Sequence, residues 1–181
     1  MARAALSANL RHHRDLALRL AVVVCCAFRN VVRACDPGNV DVSAADIARI
    51  PRANLRVPSA QFAALWVTAE RLCDEQARRG VTDWYAAGVA VTCEWLAGAT
   101  VRTDTGPWFP AHSPVTKRTA RAYEELIEAE YLEAQKLDMR RPRPVWLQQR
   151  PGWSEAICAT LRWAWRRSGP PPLELDATAA G

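Results

Sequence analysis

Apolar residues recur at helical spacing along most of this chain of 181 residues. Segment 83–97 has apolar or small residues in nearly every helical direction, which is typical of a helix surrounded by other helices. Segment 60–79 has one apolar stripe and a charged face, and Gly80 follows it. Because about three residues separate the two segments, the pattern predicts a helical hairpin at the centre of the domain.

Further helices are predicted around this hairpin, at 4–34, 43–50, 114–137 and 152–168. Ser113-Pro114 has the pattern of an N-cap followed by proline at the first helical position, and Pro151 opens the last helix in the same way. Prolines in 51–58 and 139–150 predict irregular connections, and residues 99–112 predict a loop with room for a short extended piece. The sequence thus predicts an all-α fold, a single-domain bundle of five to six helices over residues 1–168, with residues 169–181 as a flexible C-terminal tail.

Charge is unevenly distributed, although the formal net charge is only +5. Arginines concentrate in segments 1–35 and 140–168, whereas the segment between them is acidic on balance. Such an asymmetry is typical of a nucleic-acid or membrane surface, but basic terminal helices that pack on an acidic helix would produce it too. We favour this internal pairing. The preference for Arg over Lys, with abundant Ala, is typical of GC-rich coding and suggests a bacterial source.

The six cysteines lack any CxxC pair and any zinc-ligand spacing with histidine. Four of them fall on apolar helical stripes, so we expect reduced cysteines in the core of a cytoplasmic protein. The alternative is a secreted protein with three disulfides, which would require residues 16–28 to be a signal-like segment rather than a packed helix. Arg19 interrupts that segment, and its uninterrupted part is too short to span a membrane.

Two groups of residues are candidates for binding. In segment 140–168, arginines alternate with tryptophans, a composition typical of protein interfaces, and the helical period predicts that Trp163 is partly exposed. The candidate interaction surface comprises Arg140, Arg141, Arg143, Trp146, Arg162, Trp163, Arg166 and Arg167. Near the start of the predicted helix 114–137, Lys117, Arg118 and Arg121 are candidate anion contacts. We favour the alternative, in which Arg121 pairs with Glu124 or Glu125 and Arg118 with a carboxylate elsewhere.

Two acidic features have simpler interpretations. The carboxylates Glu124, Glu125, Glu128, Glu130 and Glu133 predict a solvated or partner-facing surface rather than a metal site, because no histidine accompanies them. Glu94 is the one acid in the apolar helix after Asp83, and we expect it to face solvent or an arginine. If it were buried, its pKa would rise and it would become a candidate site residue.

No sequence pattern of a known catalytic or nucleotide-binding loop is present, so no catalytic, cofactor or metal residues are assigned. An enzyme is the less favoured interpretation. We expect a non-enzymatic helical adaptor or assembly subunit that acts through a protein partner or self-association, without a cofactor, a membrane or an identified small-molecule substrate. The alternative is a nucleic-acid-binding protein that uses the basic segments 1–35 and 140–168.

Overall fold

The structure is a computed structural model and describes residues 42, 44–102 and 107–175. The predicted helix 4–34, the signal-like segment 16–28 and the basic segment 1–35 lie outside the described residues, as do residues 176–181 of the predicted tail.

The described residues are mostly helical, which confirms the predicted all-α class. They form six α-helices: α1 Ala44–Arg49, α2 Ser59–Arg78, α3 Trp84–Ala97, α4 Glu124–Met139, α5 Val145–Gln148 and α6 Trp153–Ala164. A 3-10 turn at Arg52–Asn54 links α1 to α2. Strands β1 Thr100–Arg102 and β2 Trp108–Pro110 pair antiparallel, with Val101 opposite Phe109, inside the predicted loop 99–112.

The helices α2 and α3 pack against each other and form the expected hairpin. Gly80, with φ of 72°, lies in the short link after α2. The side chain of Asp83 caps α3 by accepting a hydrogen bond of 2.9 Å from the backbone N–H of Ala86. Gly98, with φ of 65°, ends α3 in the left-handed conformation that glycine adopts at little cost.

Helix α3 lies at the centre of the described bundle because it packs on α6 as well as on α2, and α6 packs in turn on α4. The contact between α3 and α6 is closest at Gly88. A Cβ atom at this position would lie 2.8 Å from the carbonyl oxygen of Trp153 and 2.9 Å from the Cβ of Ala156. Only glycine allows the two backbones to approach this closely.

The helix predicted at 114–137 begins ten residues later, at Glu124, and extends to Met139. Residues 113–118 form a compact turn instead. The N–H of Ser113 donates to the carbonyl of Arg118 at 3.0 Å, the N–H of Lys117 donates to the carbonyl of Ser113 at 3.2 Å, and the hydroxyl of Ser113 accepts from the N–H of Arg118 at 2.9 Å. These local bonds compete with the helical ladder that Ser113-Pro114 would otherwise begin.

Smaller differences occur towards the C-terminal end. One helical turn, α5, lies within the connection predicted as irregular, and α6 ends at Ala164, four residues before the predicted end. Arg167 follows in the left-handed region with φ of 49°.

We predict that Gly88→Ala lowers the free energy of unfolding by about 2 kcal/mol, because the added methyl group overpacks the α3–α6 contact. Helix propensity alone predicts the opposite sign, a gain of about 1 kcal/mol. Urea unfolding followed by circular dichroism measures the difference. The reverse change at the neighbouring half-buried position, Ala87→Gly, is the control for intrinsic propensity. A stabilising Gly88→Ala variant would contradict the close contact.

Candidate functional site

A buried carboxylate holds the turn at residues 113–118. Glu130 on α4 is 1% exposed. Its Oε1 accepts hydrogen bonds from the backbone N–H groups of Val115 at 2.5 Å and Thr116 at 2.9 Å, and its Oε2 accepts from the Thr116 hydroxyl at 2.6 Å. A buried charge requires such partners to offset its lost hydration. The expectation that Glu130 belongs to a solvated acidic surface was therefore wrong.

The turn that Glu130 holds presents Lys117 to the surface. Lys117 has φ of 58°, a left-handed conformation uncommon for a residue with a side chain. Its Nζ lies 5.4 Å from the centre of the Trp153 ring, at the start of α6. The turn therefore places a cation over an aromatic face, a favourable electrostatic arrangement.

Lys117 belongs to a larger group that we call the aromatic–cation cluster, comprising Trp84, Lys117, Trp146, Arg150 and Trp153. Trp146 and Trp153 meet edge to face, with ring centres 5.8 Å apart and planes at 78°. The guanidinium carbon of Arg150 lies 5.0 Å from the centre of the Trp84 ring and 5.6 Å from that of Trp146. Trp153 is buried, whereas Trp146 is 43% exposed, so the cluster connects the core to the surface.

The two cations of the cluster influence each other. The pKa of Lys117 is lowered to about 8, chiefly because its ammonium end is partly desolvated and then because Arg150 is positive, while Glu130 acts in the opposite direction. This desolvation is local, since the Lys117 residue as a whole is exposed. Burial also lowers the pKa of Arg150. The cluster therefore holds two like charges in an environment that disfavours charge.

Next to the cluster, residues 139–146 combine exposed apolar and basic side chains, and we call this segment the basic corner. Met139, Val145 and Trp146 are its exposed apolar residues. Asp138 orders part of it, because Arg141 donates to its carbonyl oxygen at 2.8 Å and Arg143 pairs with its carboxylate at 3.6 Å. Arg140 is exposed. The corner thus displays apolar surface among partly ordered arginines.

The candidate interaction surface is divided by the structure. Trp163 is only 6% exposed, so the expectation of partial exposure was wrong. Helix α6 is covered by both α3 and α4, which leaves little of its circumference for solvent. Arg162 is exposed. Arg166 and Arg167 follow the C-terminal end of α6, about 18 Å along the helix axis from the basic corner at its N-terminal end.

The arginines at that far end lie among carboxylates. Arg166 pairs with Glu128, which also accepts a hydrogen bond of 3.2 Å from the indole N–H of Trp165. Arg56 lies 4.2 Å from the centre of the Trp165 ring and pairs with Glu124 at 3.0 Å. An open cleft of about 530 Å³ is lined by Arg56, Glu124, Glu128, Trp165, Arg166 and Arg167. Its mixed charges do not favour a strongly anionic ligand.

The three candidate anion contacts do not lie in the first turn of a helix, because α4 begins only at Glu124. Lys117 reaches the Trp153 ring instead, whereas Arg118 and Arg121 are exposed. Sequence reasoning missed both the role of Glu130 and the approach of Arg150 to Lys117. Neither follows from spacing along the chain, since each contact joins segments more than ten residues apart.

Two acidic residues, Glu70 on α2 and Glu94 on α3, lie next to each other. The side chain of Glu94 is hydrogen-bonded to that of Glu70, which also accepts from the indole N–H of Trp66 at 3.1 Å. Burial and the nearby Glu70 raise the pKa of Glu94 well above its usual range. Glu94 is half-buried and faces the carboxyl group of Glu70, whereas the basic segment 1–35, which could supply the expected arginine, lies outside the described residues. Two carboxyls this close favour a shared proton.

Comparison with known proteins adds no assignment: no protein-family model, no curated protein and no solved structure matches this chain. Within the described ranges, no group of three His, Cys, Asp or Glu residues is placed to hold a metal ion. In the same part of the chain, no helix is both long enough and apolar enough to cross a membrane. Cys73, Cys93 and Cys158 are free thiols.

We predict that Glu130→Ala lowers the free energy of unfolding by about 3 kcal/mol, because two backbone N–H groups of the turn lose their acceptor. The matched control is Glu133→Ala on the same helix, which removes an exposed ion pair with Lys136 and should change stability by less than about 0.5 kcal/mol. Chemical denaturation measures both variants. Equal effects of the two substitutions would show that Glu130 does not hold the turn.

The Glu70–Glu94 pair predicts a specific pH dependence of stability. Because the pKa of Glu94 is higher in the folded state than its ordinary value of 4.5, the folded chain binds more protons above that pH. Stability contributed by the shared proton is therefore complete at low pH and is lost as pH rises through the folded pKa. Glu94→Gln keeps a hydrogen-bonding group without titrating, so it should flatten this decline and stabilise the protein at neutral pH.

Urea unfolding of wild type and Glu94→Gln tests this prediction. The measurements begin at pH 4.5, the ordinary pKa of a glutamate, and continue to about pH 8. Glu75→Gln is the control, since Glu75 is on the same hairpin but pairs with Arg71 at 3.4 Å. Parallel pH profiles for wild type and Glu94→Gln would contradict a shared proton at this pair.

Proposed function

We propose that this chain is a non-enzymatic helical adaptor or assembly subunit that binds a protein partner through the basic corner, with Trp146 as the central contact. The observation that carries the proposal is the exposed Trp146, which follows exposed Val145 and belongs to the same arginine-rich segment as exposed Met139. Tryptophan, methionine and arginine are enriched at protein interfaces, and tryptophan is frequent among the residues that dominate binding energy.

The arrangement of Trp146 supports this role. Its ring packs against the edge of Trp153 and lies under the guanidinium of Arg150, so its orientation is defined before a partner arrives. An aromatic side chain that is already ordered loses less conformational entropy when it binds. Asp138 orders Arg141 and Arg143 in a similar way.

The charge of the basic corner defines the partner. Arg140, Arg141 and Arg143 share a segment with the exposed apolar residues, and Asp138, which precedes the segment, pairs with Arg143. We therefore propose a partner with an apolar pocket for Trp146 and an acidic rim, which would favour fast association and correct orientation. A second copy of this chain would meet the same requirement if it presented such a surface.

Nucleic-acid binding is less well supported. Non-specific binding to nucleic acid depends on several cations that follow the backbone and on open aromatic faces for stacking. The described arginines of segment 140–168 instead lie at two ends of α6, and Arg166 is paired with Glu128. Arg150 also lies over the ring of Trp146, where a base would stack.

We predict that Trp146→Ala weakens partner binding at least tenfold, whereas Leu132→Ala, which removes a similarly exposed side chain from α4 (44% exposed), leaves it unchanged. Quantitative mass spectrometry of proteins captured by the wild type and both variants identifies the Trp146-dependent partner. Light scattering reports self-association in the same preparations. Titration with the purified partner then gives the ratio of dissociation constants.

The wild type and the variants Trp146→Ala and Leu132→Ala are also tested with mixed duplex and single-stranded DNA. The salt concentration is about 50 mM, because phosphate contacts are strongest at low salt. Equal capture of every protein by wild type and Trp146→Ala would contradict the proposed function. Tight, salt-sensitive DNA binding would replace it with the nucleic-acid alternative.

A further inference from the structure

Helix α3 is apolar in nearly every direction, but α2 and α6, its main neighbours, cover only part of its circumference. Val89 and Cys93 are fully buried, whereas Ala87, Val91 and Glu94 are only half-buried. Because these three positions are spaced by four and three residues, they form one stripe along the helix. The central helix therefore has a third side that its two main neighbours leave partly open.

Helix α2 borders this side of α3. The side chain of Glu70 is hydrogen-bonded to that of Glu94, which identifies the side of α2 that lies next to the stripe. Val67, three positions before Glu70, is on the same side and is 38% exposed although it is apolar. We call the surface formed by Val67, Glu70, Ala87, Val91 and Glu94 the hairpin groove. It is apolar apart from one pair of carboxyl groups, which retains one negative charge when the two share a proton.

The sequence of this chain contains a segment with the complementary pattern. Residues 16–28 are apolar except for Arg19, and residues 1–35 as a whole contain six arginines and one acid. An apolar run with one cation matches an apolar groove with one net negative charge. Pairing the two charges offsets the cost of removing each from water, while the apolar residues supply most of the favourable free energy.

The described chain begins close to the groove, which brings this segment within reach. Helix α1 packs on both α2 and α3, and the amide of Asn54, in the following 3-10 turn, donates to the carbonyl of Leu96 at 2.8 Å. Both contacts place the start of the described chain at the end of the hairpin where α2 begins and α3 ends. Nine residues connect position 34 to α1, enough to span about 30 Å when extended.

The lengths also agree. Residues 4–34, predicted as a helix, would measure about 46 Å, whereas the 20 residues of α2 measure about 30 Å. Arg19 would lie about 22 Å from residue 34, and Glu70 lies about 16 Å from Ser59 at the start of α2. The nine-residue connection is long enough to absorb the difference. The segment can therefore lie along the hairpin with Arg19 beside the carboxyl pair.

We propose that the hairpin groove binds residues 4–34 of the same chain, with the apolar run 16–28 against Val67 and Val91 and with Arg19 bound to the Glu70–Glu94 pair. Glu70 keeps its hydrogen bond from the Trp66 indole, because a carboxylate has several acceptor positions. A third helical neighbour would complete the cover of an all-round apolar helix. The groove shares no residue with the basic corner, so this inference does not depend on the proposed function.

Crosslinking tests the contact directly. A carbodiimide joins a lysine amine to a touching carboxyl group as an amide, with loss of water, and Arg19→Lys places such an amine in the segment without changing its charge. We expect mass spectrometry of the full chain to show a crosslink from position 19 to Glu70 or Glu94. Arg29→Lys is the control, because about 15 Å of helix separates it from position 19, and it should reach neither acid.

Hydrogen exchange tests the apolar part of the groove. Val91→Arg inserts a bulky charge into the stripe and should accelerate exchange of the 16–28 amides by about tenfold or more, because the segment loses its packing surface. Leu132→Arg, which adds the same charge at an exposed position of α4, should leave this exchange unchanged. Circular dichroism confirms that each variant is folded. If Val91→Arg fails to fold, the crosslink of Arg19→Lys still decides.

A mixture of ¹⁴N-labelled and ¹⁵N-labelled Arg19→Lys protein identifies the occupant. Crosslinks confined to one isotope within each molecule support docking in the same chain. Crosslinks between the two isotopes would assign the groove to the segment of a second copy and overturn the proposal as stated. Absence of any crosslink from position 19 to Glu70 or Glu94 would overturn it too, as would exchange of the 16–28 amides at the rate of an unfolded peptide in wild type.

Discussion

The close approach of α3 and α6 at Gly88 is the constraint on which the rest of the structure depends. Because residue 88 has no side chain, the carbonyl of Trp153 and the methyl group of Ala156 lie directly against the backbone of α3. This contact sets the position of the N-terminal end of α6 relative to α3. Trp84 begins α3 and Trp153 begins α6, and both contribute rings to the aromatic–cation cluster. The candidate surface is therefore a consequence of how two central helices cross.

Glu130 positions the turn that contributes Lys117 to the same surface. Its carboxylate would be costly to bury alone, and the turn at 113–118 supplies the three hydrogen bonds that offset this cost. In return the turn acquires a defined conformation, in which Lys117 reaches the Trp153 ring. The cluster thus combines residues of α3, the turn and the α5–α6 region, and the hydrogen bonds to Glu130 connect the turn to α4. A surface organised in this way requires little rearrangement on binding, which suits an adaptor.

Local signals in the sequence predicted the hairpin well, because Gly80 and Gly98 follow its two helices and adopt the left-handed conformation that ends them. They failed at Ser113-Pro114, where a valid N-cap pattern is overridden by Glu130, a residue 15 positions beyond Val115 in the chain. Helical periodicity predicted an exposed face at Trp163, but it does not reveal that α6 is covered by two helices. The sequence also placed Arg140 and Arg166 in one candidate surface, although α6 separates them along its length. What could not be predicted is, in each case, a contact between distant segments.

The most direct test of this account is native-state hydrogen exchange of the Val115 and Thr116 amides, the two that donate to Glu130. If the turn is part of the cooperative core, these amides should exchange only on global unfolding, with the same opening free energy as the amide of Ala156 in α6. Exchange at rates close to those of an unfolded peptide would contradict the account. It would show that the turn opens independently of the bundle and that Lys117 is not held in place over Trp153.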